Sequence, residues 1–214
     1  MPTPSPDDDS AIDIDLMLRT QKGDTQAFSE LIRRHQRPLL NFFVRCGVCG
    51  DEEDLVQETF LRIYRYRTRY APSAKFTTFL YLVARQVRID SLRRAQRVDS
   101  LHRRAGKELP QEALPTRIDR GERIDVLNAL ARLSDPMREV VVLCVMRGFP
   151  QAEVAEIQGI PVGTVKSRLS NALRKLREFL EGDLSAAEAN AMIDVATLGR
   201  DSASSRQPSS ENDQ

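Results

Sequence analysis

Apolar residues recur at three- and four-residue spacing along most of this chain, and no stretch shows the alternation typical of β-strands. The pattern predicts an all-α fold of two small helical bundles, residues 15–97 and 123–182, joined by a flexible linker over residues 98–122. The acidic and polar ends, residues 1–14 and 183–214, are predicted to be disordered, the second of them for most of its length.

Four helices are predicted in the first segment. A short helix after Asp15 should end at Gly23, and Asp24 or Thr25 can cap a second helix of about residues 26–45. Two more helices are expected after it: a third that follows the loop containing Cys46 and Cys49, and a fourth near the end of the segment.

The third and fourth helices carry polar faces of different charge. Acidic residues 51–54 stand at the start of the third helix, where the helix dipole favours negative charge. The fourth helix covers about residues 78–97, and its predicted core side consists of Phe79, Leu82, Val83, Val87 and Leu92. Its outer side carries Arg85, Gln86, Arg88, Arg93, Arg94 and Arg97. The first bundle therefore presents a cationic helix to its surroundings.

The stretch from Phe149 to Leu180 contains two amphipathic segments separated by a sharp break at Gly159-Ile160-Pro161. The second segment has an apolar stripe, basic and small polar residues on its other faces, and no acidic residue between Ile160 and Arg177. A short helix, a glycine turn and a longer basic helix are typical of a helix-turn-helix unit that places its second helix in the major groove.

A solvated surface helix would explain the basic residues of this stretch as well. The preceding short helix and the residues Gly163 and Thr164 favour DNA instead, because free N–H groups at a helix start attract a phosphate. Helix-turn-helix units occur in many classes of protein, so the motif predicts the ligand and leaves the function open.

Charge is unevenly distributed, although the net charge is only +1. Residues 1–15 carry five acids and no base, and residues 16–97 carry sixteen Lys or Arg against eight Asp or Glu. No apolar run approaches the length of a membrane span, and the N-terminus does not resemble a signal peptide. We therefore expect a cytoplasmic protein without membrane insertion.

Cys46 and Cys49 have the spacing of half a zinc site or of a redox pair. A second such pair is missing, and the two histidines, His35 and His102, are isolated in sequence. We expect no metal, no cofactor and no catalytic residue here, and interpret the segment as a loop after a helix end.

Aromatic residues accompany the cations of the first bundle. Tyr66, Tyr70 and Phe76 lie in or beside the loop of residues 67–78, just before the cationic helix. This combination suits single-stranded nucleic acid, because bases stack on aromatic rings while cations hold phosphates. The alternative is that these aromatic residues belong to the core, which applies above all to Phe76 and Phe79.

Three segments together resemble the sigma-70 family of bacterial RNA polymerase sigma factors. Residues 51–61, DEEDLVQETFL, are similar to region 2.2, and residues 75–94, KFTTFLYLVARQVRIDSLRR, to regions 2.3 and 2.4. Residues 130–177 resemble region 4, and the two-domain layout resembles the ECF (extracytoplasmic function) group. The chain departs from the family at Gln86, where asparagine is common, and no tryptophan follows Thr78.

The resemblance implies a protein that is not an enzyme. It would bind core RNA polymerase at the beta-prime clamp helices and the beta flap, direct it to promoters and help melt the start site. The face that docks on polymerase would consist of Asp54, Gln57, Glu58 and Leu61. The minus-10 element would be read, with one base flipped out, by Tyr70, Lys75, Arg85, Gln86, Arg88, Arg93 and Arg94.

In the second bundle the resemblance assigns the minus-35 element to the helix after Pro161. Base edges would face Lys166, Ser167, Ser170 and Asn171, while phosphates would be held by Arg168, Arg174, Lys175 and Arg177. Thr164, at the start of the helix, also belongs to the predicted minus-35 residues. The group also implies an anti-sigma partner. Two other classes stay open: a helix-turn-helix regulator that acts without polymerase, and a thiol or zinc enzyme built on Cys46 and Cys49.

Overall fold

The computed structural model describes residues 6–104 and 122–179 of the chain. These residues form α-helices and no β-strand, which confirms the all-α prediction. The first half contains α1 (Pro6–Gln21), α2 (Thr25–Arg45), α3 (Glu52–Tyr66), a 3-10 turn (Arg67–Arg69) and α4 (Phe76–Arg104). The second half contains α5 (Glu122–Ala131), α6 (Asp135–Val141), a π-helical turn (Val142–Met146), α7 (Gln151–Gln158) and α8 (residues 162–179).

Helix α1 begins at Pro6, so the predicted disorder of residues 1–14 does not hold from that residue onward. The reason is a buried set of charges that composition cannot reveal. Asp13 accepts hydrogen bonds from Arg34 Nε and is paired with His35 Nε2, both at 2.8 Å, and it is almost fully buried. Asp9 binds the same arginine at 2.8 Å. Acidic residues that look solvated in the sequence therefore hold α1 against α2.

Asp24 caps α2, whereas the sequence had left either Asp24 or Thr25 as the capping residue. Its Oδ1 atom accepts hydrogen bonds from the backbone N–H groups of Gln26 and Ala27, both at 3.0 Å. Its Oδ2 atom accepts a hydrogen bond of 2.8 Å from Arg19 Nη2. The hydrogen bonds from Ala27 and then from Arg19 lower the pKa of the Asp24 carboxyl.

Replacing Asp24 by alanine should lower the melting temperature, because two N–H groups at the start of α2 lose their acceptor. A lowered carboxyl pKa in the folded protein means that this stabilisation is present at neutral pH and is lost as the pH falls through that pKa. The difference between the two proteins should therefore shrink below about pH 4. Thermal melts at several pH values check this, and Asp24→Asn, which keeps a capping oxygen, should melt closer to the parent protein.

Helix α4 runs to Arg104, beyond the predicted boundary at Arg97. Neither glycine nor proline occurs between Val98 and Arg104, so nothing in the local sequence stops the helix earlier. The rest of the predicted linker, residues 105–121, and the predicted C-terminal tail lie outside the described residues.

The two halves share one hydrophobic core, with α4 between them. One side of α4 packs on α3 and the other on α7. Tyr81 of α4 touches Phe42 of α2 and Phe149 before α7, with ring centroids 5.1 and 5.0 Å apart. Leu92, which we predicted to face the core, is instead 40% exposed because the buried part of α4 ends at Arg88. Within the described ranges, no helix combines the length and apolar character needed to cross a bilayer.

Candidate nucleic-acid and protein interfaces

Helix α3 exposes one continuous polar face to solvent. Asp54, Gln57 and Leu61 are exposed, Glu58 is half-buried beside them, and the spacing places all four on one side of the helix. Leu61 is 49% exposed, which gives this face an apolar centre among polar groups. The opposite side of α3 is buried in the core through Leu55, Thr59, Phe60 and Ile63. The predicted docking residues therefore form one accessible surface, and their role stays a prediction.

Glu58 connects this face to α4. It accepts a hydrogen bond of 2.8 Å from Arg62, which also donates one of 2.7 Å to Asp90 of α4. The Arg62 guanidinium lowers the pKa of the Asp90 carboxyl below its ordinary value. This link cannot be predicted from the sequence, because Glu58 and Asp90 are far apart along the chain.

The residues predicted to read the minus-10 element separate into exposed and covered groups. Gln86, Arg93 and Arg94 are exposed on α4. Tyr70 is only 6% exposed and packs against Phe76 and Phe79, so the alternative of a core aromatic applies to it. Burial raises the pKa of the Tyr70 hydroxyl, which has no hydrogen-bond partner.

Tyr66 is the aromatic residue of this region that remains accessible. It is 45% exposed and lies against Phe79, with ring centroids 5.6 Å apart. Arg67 places its guanidinium 4.0 Å from the ring centroid of the neighbouring Tyr64. An exposed ring beside cations can stack on an unpaired base. Tyr66 thus matches the nucleic-acid hypothesis better than Tyr70 does.

Arg88 lies inside the protein, contrary to the prediction that it faces outward. It is 4% exposed, and its Nη2 atom donates a hydrogen bond of 3.0 Å to Glu139 of α6. Arg85 Nε lies 3.0 Å from the other oxygen of the same carboxylate, in an ion pair without hydrogen-bond geometry. The sequence could not show this, because the acid that pairs with both arginines belongs to the other half of the chain.

A second contact of this kind lies at the start of α4. Lys75 Nζ is 3.2 Å from Glu153 of α7, and the Thr78 hydroxyl donates a hydrogen bond of 2.9 Å to the same carboxylate. Lys75, Arg85 and Arg88 were all assigned to the minus-10 element, and in this structure all three face carboxylates of the second half.

Helices α7 and α8 form the predicted helix-turn-helix. Gly159 ends α7 in the left-handed conformation, with φ of 65°, which confirms the predicted stop. Val165 and Ala172 bury the inner side of α8. The N–H of Thr164 donates to the carbonyl of Pro161 at 2.9 Å, so it is not free for the phosphate that we predicted at this helix start.

Most residues predicted to contact the minus-35 element are accessible on α8. Lys166, Ser167, Ser170, Asn171 and Arg174 are exposed, and Lys175 is half-buried. Arg168 is also half-buried and donates a hydrogen bond of 3.3 Å to Gln158 of α7, so it contributes to the packing of the two helices. The exposed side of α8 is therefore basic and polar, as a helix for the major groove requires.

The cysteine pair offers little chemistry. Burial raises the pKa of the Cys46 thiol to about 12, and burial also raises that of Cys49. Neither thiol is then favoured as a thiolate, which is the reactive and metal-binding form. Among the described residues, no cluster of three or more potential metal ligands occurs.

A crevice of about 480 Å³ lies between the two halves. Helices α1 and α2 line one wall with Asp9, Asp13, Arg34 and His35, and the segment before α7 lines the other with Arg147 and Phe149. It contains charges of both signs, and both halves contribute to it.

Comparison with protein families gives two matches in the order expected. A family described as "Sigma-70 region 2" matches residues 31–98, and one described as "Sigma-70, region 4" matches residues 123–176. The RNA polymerase sigma factor CarQ of Myxococcus xanthus is 34% identical over 77% of this chain and 95% of its own length. The ECF RNA polymerase sigma factor SigC of Mycobacterium tuberculosis is 29% identical over 85% of this chain and 97% of its own.

Solved structures resemble the chain as well. CnrH, solved in complex with the cytosolic domain of CnrY, matches with a TM-score of 0.61 at 26% identity, over 80% of this chain and 99% of that one. The sigma factor RpoE of Bartonella quintana, solved with the anti-sigma factor NepR, also matches with a TM-score of 0.61, at 25% identity, over 72% of this chain and 96% of its own.

Proposed function

Since this chain belongs to the ECF group of the sigma-70 family and is an RNA polymerase sigma factor, we propose a specific role for each of its exposed faces. The α3 face of Asp54, Gln57, Glu58 and Leu61 docks on the beta-prime clamp helices of core polymerase. The first half captures melted minus-10 DNA, and α8 reads the minus-35 element. These tasks take place on the chromosome, in the cytoplasm.

One observation carries the docking proposal: the polar face of α3 is exposed although the opposite side of that helix is buried in the core. Its acidic character stands out in a half of the chain that is otherwise basic. Such a face suits a basic protein partner and not DNA, because DNA phosphates would repel Asp54 and Glu58. A regulator that acts without polymerase would have no need of this face, and that alternative is not favoured.

The DNA contacts of the first half centre on the exposed residues. Gln86, Arg93 and Arg94 lie along α4, and Tyr66 lies beside its start. Unpairing a base costs a few kcal/mol, and stacking on an aromatic ring returns about 1–3 kcal/mol per base. Cations that hold the phosphates, together with polymerase docking, supply the remainder.

Reconstitution with core polymerase tests this assignment. Polymerase loaded with the chain should start transcripts at defined sites on a genomic template, whereas core polymerase alone should not. Mapping the starts should reveal shared sequences near minus 10 and minus 35. An absence of both core binding and defined starts would overturn the proposal.

On α8 we expect Asn171 and Arg174 to contribute in different ways. Asn171→Ala should relax the preference at one base pair of the minus-35 element by about 1–3 kcal/mol, because the amide contacts a base edge. Arg174→Ala should weaken binding to every sequence and reduce the salt slope by about one, because a guanidinium holds a phosphate. Competition binding of holoenzyme to mutated promoters, at several salt concentrations, measures both quantities.

Glu178 provides the matched control for this pair of variants. It accepts a hydrogen bond of 2.9 Å from Arg174, so Glu178→Ala removes the partner and leaves the guanidinium in place. Binding should be unchanged or tighter in that variant. An equal loss for Asn171→Ala and Arg174→Ala on all sequences would contradict the division of roles.

An anti-sigma factor is part of the proposal. It is supported by CnrH and RpoE, which were solved with CnrY and the anti-sigma factor NepR. The crevice between the halves is a surface where such a partner could contact both at once.

A further inference from the structure

A carboxylate lies in the middle of the face of α4 that we propose for DNA. Gln86, Asp90, Arg93 and Arg94 follow one another at spacings of three and four residues, so they share one side of the helix. A negative charge at this place repels DNA phosphates. The hydrogen bond from Arg62 lowers the pKa of the Asp90 carboxyl and so favours its charged form. The face therefore contains an acid that DNA binding alone does not explain.

The partner of this acid comes from α3, the helix that we propose for docking. Arg62 Nη1 donates a hydrogen bond of 2.7 Å to Asp90, and Arg62 Nε donates one of 2.8 Å to Glu58 of the docking face. A guanidinium is planar and its donors have fixed directions, so it sets both the distance and the angle between the two carboxylates. One side chain therefore joins the face proposed for polymerase to the face proposed for DNA.

Helix α4 leaves the core close to Asp90. Arg88 is buried, whereas every residue of the stretch 92–98 is exposed. Arg93 and Arg94 thus lie on a part of the helix that core packing does not hold in place. Asp90 contacts both of them: Arg93 Nη1 is 4.0 Å from its carboxylate, and Arg94 Nε donates a hydrogen bond of 3.4 Å to its backbone carbonyl. The residue that anchors this end of α4 is therefore also in contact with its DNA cations.

We infer that Arg62 is a positioning residue for promoter recognition: through Asp90 it fixes the exposed end of α4, with Arg93 and Arg94, relative to the helix that docks on polymerase. The inference rests on the proposed roles of α3 and α4, and it adds a residue that acts through another side chain. The side chains of Arg62 and Asp90 are 28% and 41% exposed, and such partly exposed pairs contribute little to stability. Their main effect should therefore be geometric.

Arg62→Gln and Asp90→Asn test this role, because each breaks the pair while they change the net charge in opposite directions. The measured quantity is promoter preference, the ratio of holoenzyme affinity for a mapped promoter to its affinity for the same DNA with a scrambled minus-10 element. Both variants should lower this ratio by about tenfold, the discrimination that one well-aligned base contact supplies. If only charge mattered, Asp90→Asn would bind all DNA more tightly and Arg62→Gln more weakly, and neither ratio would change.

The variant that combines Arg62→Gln with Asp90→Asn has the net charge of the parent protein. It should lose no more promoter preference than either single variant, because one change already breaks the pair. Parent-like preference in the double variant would show that charge alone matters, and the inference would be wrong. Arg62→Lys keeps the charge but lacks the planar fork, so it should lose part of the preference. Asp90→Glu keeps a carboxylate and should retain more preference than Asp90→Asn.

Hydrogen exchange of the backbone gives a readout that does not depend on DNA. In Asp90→Asn the amides of residues 91–98 should exchange faster, whereas those of residues 76–88, in the buried part of α4, should keep the parent rates. The melting temperature should fall by about 4 °C or less, because the pair is partly exposed. Parent-like exchange of residues 91–98 would show that Arg62 does not hold this end of α4, and it would overturn the inference.

Arg65→Gln and Glu53→Gln are the matched controls. Both residues are exposed on α3. Arg65→Gln makes the same chemical change as Arg62→Gln, and Glu53→Gln removes one negative charge, as Asp90→Asn does. Neither control should change promoter preference or the exchange of residues 91–98. If Arg65→Gln lowers promoter preference as much as Arg62→Gln does, the effect is not specific to the pair and the inference fails.

The readouts also distinguish failure of this inference from failure of the proposed function. Asp90→Asn should bind core polymerase as tightly as the parent protein, and a loss of that affinity would place the effect in docking and refute the role in promoter recognition. If the parent protein gives defined starts but the variants keep full promoter preference, only the positioning role is wrong, even if residues 91–98 exchange faster. If the parent protein with polymerase gives no defined starts, the proposed function fails and the inference with it.

Discussion

Replacing Asp54 by arginine is expected to weaken binding to core RNA polymerase by about 100-fold or more and to abolish transcription from defined starts. Asp54 is exposed in the first turn of α3, on the face that we propose for docking. Bringing like charges together at an interface costs several kcal/mol, and truncating one partner of a buried charge pair costs about 2–5 kcal/mol. Fluorescence anisotropy of the labelled protein, titrated with core polymerase, measures the loss.

Glu53→Arg is the control for this variant. Glu53 also lies exposed in the first turn of α3, so reversing its charge has the same unfavourable effect on the helix dipole. It points about 100° away from Asp54 around the helix. Both variants should show the same loss of thermal stability, but Glu53→Arg should retain most of its polymerase affinity. If Asp54→Arg binds core polymerase as tightly as the parent protein does, the assigned docking face is wrong.

The exposed polar face of α3 could be predicted from the sequence because its determinants are local. In α3, one side is apolar at helical spacing, so the positions of Asp54, Gln57 and Leu61 follow from the periodicity alone. The all-α fold and the stop at Gly159 follow from short-range patterns of the same kind. Contacts within one helix or one turn can be predicted, because the interacting residues lie near one another in the chain.

Helical periodicity predicted the environment of α4 only in part. Periodicity assigns one buried stripe to a helix, but α4 is buried on two sides, and part of the second side is covered by ion pairs instead of apolar contacts. Arg88 looks like a surface cation in the sequence, because its partner Glu139 is fifty-one residues away. The predicted disorder of residues 1–14 was wrong for the same reason, because the burial of Asp13 depends on its pairing with Arg34 and His35.

Charged residues that pair with distant parts of the chain are therefore the main reason why burial was predicted wrongly from the sequence. A helical pattern treats every charge as solvated, and it is right for Arg93 and Arg94, which are exposed. The assumption is wrong where an opposite charge on another helix pairs with the residue and compensates its loss of hydration. The residues misassigned in this way lie mainly where separate elements meet, between α1 and α2 and between α4 and the second half.

Phe42→Ala should reduce the free energy of unfolding by about 3–5 kcal/mol, the largest stability change that we expect from a single truncation. Phe42 is fully buried, and its ring meets Tyr81 edge-on at 5.1 Å and Phe43 at 5.4 Å. Alanine would leave a cavity beneath Tyr81, the residue that also contacts the second half through Phe149. Urea unfolding monitored by circular dichroism measures the change.

Leu92→Ala is the comparison for Phe42→Ala. Leu92 lies on α4 with 40% of its surface exposed, so its truncation creates no cavity and should cost less than about 1 kcal/mol. Phe42→Leu, which fills part of the space, should fall between the two. A loss for Phe42→Ala no larger than that of Leu92→Ala would contradict the packing described for α2 and α4. Because Phe42 lies on neither the α3 face nor α8, folded Phe42→Ala should bind core polymerase as tightly as the parent protein, which separates its effect from that of Asp54→Arg.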